Sequence, residues 1–154
     1  MQKIQMTKSI AIIGSTGLLG KSLITAANKD GYHTTGVARK KADINIDATN
    51  VDELFSALEK IKPNIIINSA AIVNLSECEK NPHLAEKVNA TISYNLSKYC
   101  EEKQIKYVFI STDHYYTGDE DSKHNENDHL NLRNQYAKTK RQGEVFALEI
   151  HNSL

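Results

Sequence analysis

The chain has 154 residues, 40% hydrophobic and 25% charged, with 19 basic against 19 acidic side chains, so one compact domain of residues 1–154 is the prior. Zero net charge supplies no basic field to displace condensed counterions, which argues against a nucleic-acid partner. A mean hydropathy of -0.49, without any apolar run near the roughly 18 residues of a bilayer span, argues against a membrane helix.

The apolar run behind Lys8 breaks at Gly14, too soon for a signal peptide. Cys78 and Cys100 stand far apart, without CxxC or ligand spacing, and the histidines are scattered. The expectation is reduced thiols in a cytoplasmic protein, with no metal.

Ser9 to Ile13 reads as a strand that ends in Gly14-Ser15-Thr16-Gly17-Leu18-Leu19-Gly20, with a helix running on to Asp30-Gly31. Tyr32 to Ala38 reads as a second strand and Ala42 to Asp47 as a short third. Thr49, three residues before Asp52, predicts the cap of an amphipathic helix carrying Val51, Leu54, Phe55, Leu58 and Ile61. Pro63 to Asn68 is apolar on both faces, as in a parallel sheet covered by helices. Asn81-Pro82 opens a long helix with a stripe of Leu84, Val88, Ile92, Leu96 and Tyr99. Ile105 to Ile110 is the next strand, Gly118 to Asn134 a long loop, and Gln135 to Ile150 a final helix. The order predicts a three-layer, Rossmann-type, doubly wound parallel sheet in the order 3-2-1-4-5.

A Gly14-x-x-Gly17-x-x-Gly20 turn between strand and helix lets a pyrophosphate approach the backbone and meet free N–H groups at a helix N-terminus. Gly14, Ser15, Thr16, Gly17, Leu18 and Leu19 are therefore candidate cofactor contacts. The second strand ends in Arg39-Lys40-Lys41 rather than an acid, which suits the 2′-phosphate of NADP; NAD and an ordinary solvated turn stay open. Asp47, with Ala48 beside it, is a candidate acceptor for the adenine amino group, or else a loop-capping aspartate. Tyr136 and Lys140 sit at i and i+4 on one helical face, a phenol and an ammonium spaced for a tyrosine acid or base. Ser111-Thr112 closes a central strand at its C-terminal end, where open α/β sheets bind ligands.

These stretches, with Pro63 to Ala71, Glu79-Lys80-Asn81-Pro82, Val88-Asn89-Ala90, Ile110 to Asp113 and Asn134 to Lys140, run in family order. The chain resembles the extended short-chain dehydrogenase/reductase superfamily and, within it, the dTDP-4-dehydrorhamnose reductase family. The resemblance implies NADPH-dependent reduction of a 4-keto group on a nucleotide-linked 6-deoxysugar, for surface polysaccharide precursors. It implies Thr112, Tyr136 and Lys140 as the catalytic set, and Ser69, Ala70, Ala71 and Asn89 along the cofactor. The substrate side falls to Asp113 and His114. His114-Tyr115-Tyr116 departs from the family's Tyr-Val-Phe after Ser-Thr-Asp. Family members also continue for about as many residues again, with the last strands and the sugar-binding lobe. The chain is thus expected to be a fragment or, as the alternative, an inactive cofactor-binding module like the regulatory subunit of methionine adenosyltransferase. A sheet cut short implies marginal stability, or a homodimer through Leu96, Tyr99, Phe146 and Ile150.

Overall fold

The structure, a computed structural model, describes residues 8–116 and 123–150. Five strands run parallel: β1 (Ser9–Ile13), β2 (His33–Ala38), β3 (Ile44–Asn45), β4 (Ile65–Asn68) and β5 (Lys106–Phe109), in the order β3-β2-β1-β4-β5. The helices are α1 (Leu18–Lys29), α2 (Val51–Ile61), α3 (Leu75–Lys80), α4 (Pro82–Glu86), α5 (Ile92–Lys103) and α6 (Gln135–Leu148). This is the doubly wound fold and strand order that the alternation of apolar runs and amphipathic segments predicts.

Register divides the sheet into two unequal faces. Ile13 is paired with Val37 and Asn68, Ala11 with Ile66, and Ile66 and Asn68 in turn with Tyr107 and Phe109. Strand side chains alternate, so these register mates share one face. That face is packed by Leu54 and Leu58 of α2, Ile92, Leu96 and Tyr99 of α5, and Ala147 of α6. On the other face α1 lies against β1 and β2, where Ile10 and Ile12 are buried. Ile65, Ile67 and Val108, on that second face at β4 and β5, are only partly buried.

The unequal covering corrects the expected dimer surface. Leu96 and Tyr99 are core residues and Ile150 is buried with them, so none is available to a second copy. Phe146 is partly buried and edge-on to Tyr94, with ring centroids 5.1 Å apart. The less covered apolar surface lies on the α1 side of β4 and β5.

Three local expectations also change. Asn50, not Thr49, caps α2: its side chain accepts from the N–H groups of Asp52 and Glu53. Thr49 is turned to Asp47 instead. The third strand shrinks to Ile44 and Asn45. The long helix after Pro82 is interrupted by a π-helical turn, Lys87–Thr91, which inserts one residue and shifts the buried stripe. Leu84 is therefore exposed, and Ala85, Asn89, Ala90 and Ser93 face inward.

Among the described residues no helix is long and apolar enough to cross a membrane.

Candidate functional site

The turn after β1 is built by removing side chains. Gly14 has φ +81°, and a Cβ there would stand 2.6 Å from the Ala70 nitrogen. A Cβ on Gly20 would stand 2.4 Å from the Gly14 carbonyl. The N–H groups of Gly14 and Ser15 both donate to the Val37 carbonyl, at 2.9 and 3.2 Å, and fix the turn against β2. Gly17 caps α1 without a side-chain hydrogen bond, and no acid stands in the first turn. The first N–H groups of a 12-residue helix thus face out beside a partial positive charge. Leu18, 92% exposed, and Leu19 flank that opening. Thr16 is half-buried in the turn, whereas Ser15 is buried, and its Oγ has no hydrogen-bond partner among the described residues.

Beside the turn, Arg39 is exposed at the end of β2, and Lys40 and Lys41 follow it. Asp47 Oδ1 accepts from the Thr49 N–H at 3.0 Å and the Thr49 hydroxyl at 2.8 Å. Those two bonds, aided by the Arg39 charge, hold its carboxyl below the usual range. Asp47 thus caps its own loop through Oδ1, and Ala48 packs against the core.

The loop after β4 forms the facing wall. The Ser69 N–H and hydroxyl both donate to the Ile13 carbonyl, at 2.9 and 2.8 Å. Ala70 and Ala71 continue partly buried, with Ala70 against Gly14. Asn89, in the π turn, accepts from the Ile72 N–H at 2.8 Å and donates to the Ile72 carbonyl and to Thr139 Oγ1, both at 3.1 Å. Both hydrogens of its amide are thus used in joining the loop to α6.

Residues 110–114 meet α6 through Ile110, Ser111, whose hydroxyl donates to Glu144 at 3.0 Å, and His114, with Thr112 among them. Lys140 is 3% exposed, donates to the Ile110 carbonyl and lies 4.1 Å from the Phe109 ring centroid. Burial lowers its pKa to about 8, with Glu144 opposing the shift. His114 lies edge-on to the Tyr136 ring, centroids 5.7 Å apart. Thr112 Oγ1 accepts from the His114 N–H at 3.1 Å, a bond that leaves its own hydrogen to be donated elsewhere. Tyr136 and Lys140 thus occupy successive turns of one helix face, Tyr136 partly buried, with Asp113 exposed nearby.

Two supports of α6 escape a reading of the sequence. Asn134 Oδ1 caps the helix by accepting from the Ala137 N–H at 2.8 Å, and its Nδ2 lies 2.9 Å from His114 Nε2. With the amide oriented by the cap, Nε2 is the acceptor and the ring hydrogen sits on Nδ1. Glu79 places a carboxylate on the Gln135 N–H at 2.7 Å. Asn134 carried a capping signal, whereas the Glu79 contact joins residues 56 apart and had none. The aromatics after His114 brace the loop: Tyr115 is buried with its hydroxyl 3.3 Å from Ser111 Oγ, and Tyr116 stacks on His124.

A family model described as the RmlD substrate binding domain matches residues 7–154. A dTDP-4-dehydrorhamnose reductase of Bacillus anthracis, solved in complex with NADP, superposes with a TM-score of 0.85 at 30% identity, over 96% of this chain and 52% of that one. The dTDP-4-dehydrorhamnose reductase of Aggregatibacter actinomycetemcomitans is 30% identical over 92% of this chain and 47% of its own length. Methionine adenosyltransferase 2 subunit beta of Bos taurus is 27% identical over 92% of this chain and 43% of its own. The chain spans about half the length of the curated relatives it matches.

Proposed function

The chain belongs to the family of the RmlD substrate binding domain, and on that premise we propose that it is the cofactor-holding half of an NADP(H)-dependent reductase acting on a keto group of a nucleotide-linked 6-deoxysugar. What carries the proposal is that the glycine turn after β1 and the contacts of Lys140 with Ile110 and of Tyr136 with His114, on either side of Thr112, lie at the same end of the sheet.

The residues fit the cofactor. The Gly14–Gly20 turn and the open N-terminus of α1 suit a pyrophosphate. Arg39 suits a 2′-phosphate, which favours NADP over NAD. Ser69, Ala70 and Ala71 would line the facing side, and Lys140 would hold the nicotinamide ribose. When bound, NADPH supplies the hydride.

The chain's own groups manage the charge on the carbonyl oxygen. Tyr136 gives that oxygen its proton. The Thr112 hydroxyl donates to the same oxygen with a bond that strengthens as negative charge grows, which lowers the barrier. Lys140, held at Ile110 and sheltered by Phe109, keeps a cation one turn from the phenol. Asp113 and His114 border the sugar side.

A second reading, a cofactor-binding partner module without turnover, is favoured by the likeness to methionine adenosyltransferase 2 subunit beta. Tyr136→Phe in a protein that includes the remaining half separates the two. The reductase reading expects turnover to fall by about 10²–10⁴-fold with NADPH affinity nearly unchanged. Equal, negligible turnover for wild type and variant, with NADPH still bound, supports the module.

A further inference from the structure

The loop after β4 and helix α6 carry opposite walls of the site, and they are joined beneath it by a second route, independent of Asn89. The Ala70 N–H donates to Asn68 Oδ1 at 3.2 Å, and Asn68 Nδ2 donates to the Tyr107 hydroxyl at 3.2 Å. Tyr107 donates to Ser93 Oγ at 3.0 Å, and Ser93 donates to the Gly143 carbonyl at 2.7 Å. The three side chains in the middle are at most 1% exposed. Each hydroxyl has one hydrogen, so the direction of every bond follows from the first. Turning the Asn68 amide over would set its NH₂ against the Ala70 N–H and break the chain at its start.

We infer that Asn68, Tyr107 and Ser93 form a one-directional hydrogen-bond chain that fixes the distance between the Ala70 loop and α6, with Tyr107 as its positioning residue. No solvent reaches these groups, so each bond lost leaves a buried polar atom unmet, and bonds in such a chain polarise one another. The closeness it maintains is unusual: a Cβ on Gly143 would stand 2.3 Å from the Asn89 carbonyl and 3.0 Å from the Phe109 ring. Gly143 follows Lys140 by less than one turn, so a shift of α6 at Gly143 moves Lys140 and Tyr136 relative to Ala70. The functional consequence rests on the reductase reading, because only a cofactor clasped between the two walls makes their separation matter.

Residue-resolved amide hydrogen exchange on wild type, Tyr107→Phe, Ser93→Ala and the double variant tests the chain, alongside NADPH titration of each. Tyr107→Phe keeps the ring that fills the core and removes only the hydroxyl. The expected result is exchange about tenfold faster at Ala70 and at 140–145, with the β1 amides within about twofold of wild type. Ser93→Ala should give the same pattern, and the double variant should exceed neither single change appreciably, as for links of one chain. Faster exchange confined to β5 and α5, or uniform across the protein, or additive in the double variant, would overturn the inference. Wild type that fails to bind NADPH would refute the reductase reading while leaving the exchange pattern to decide the chain.

Discussion

The two walls of the site are made from opposite materials. At the Gly14–Gly20 turn the chain makes room by omitting side chains, and backbone atoms lie where a Cβ would be. At α6 it places polar groups by tying side chains down one by one: buried Lys140 on Ile110, Asn134 on Ala137 and His114, Glu79 on Gln135. A wall made of absences tolerates no addition, whereas a wall made of bonds is sensitive to pH and to loss of a single atom.

The sharpest way to break the first wall is Gly14→Ala. It combines left-handed strain with backbone overlap at Ala70, and unfolding free energy should fall by about 2–4 kcal/mol. Gly31→Ala is its control. Gly31 has a similar φ, +82°, but open space around it, so only the strain of about 1–2 kcal/mol is expected. Equal losses in urea melts of the two variants would show that the overlap at Gly14 relaxes freely.

The second wall is sharpened by pH. Lys140 has its pKa lowered from 10.5 to about 8 by burial, so between those values the unfolded chain binds more protons than the folded one. Stability from this group therefore rises with pH across that window, by at most about 1.4 kcal/mol per unit, and its burial penalty is fully present below it. Relative to Lys140→Met, wild type should gain stability from pH 8 to pH 10. A flat difference would place the ammonium in contact with water.

The smallest expected effect concerns α2, away from both walls. Asn50→Ala should cost about 0.5–2 kcal/mol as loss of the true cap, and Thr49→Ala clearly less. The reverse order in thermal melts would restore Thr49 to the role its spacing suggested.

The materials of the two walls also explain what could be read in advance. Strand order and the glycine turn were legible because apolar periodicity and glycine spacing are local in sequence. Tyr136 and Lys140 were legible for the same reason, lying four residues apart on one helix. The π turn at Lys87–Thr91 has no such signature, so the stripe holds from Val88 to Tyr99 and fails at Leu84, on the other side of that turn. Leu96 and Tyr99 looked like a free face because nothing local tells that α2 and the sheet cover them. The contacts of Asn89 with Thr139 and of Ser93 with Gly143 join residues 50 apart and appear only once the chain is folded.

On the reductase reading the chain clasps NADP(H) between the glycine turn and α6, with Arg39 reading the 2′-phosphate. Parallel titrations of wild type and Arg39→Ala with NADPH and NADH test it most directly. Wild type is expected to bind NADPH more tightly than NADH, and Arg39→Ala to weaken NADPH by about 1.5–3 kcal/mol while leaving NADH almost unchanged. Equal losses for the two cofactors, or no binding of either by wild type, would contradict it.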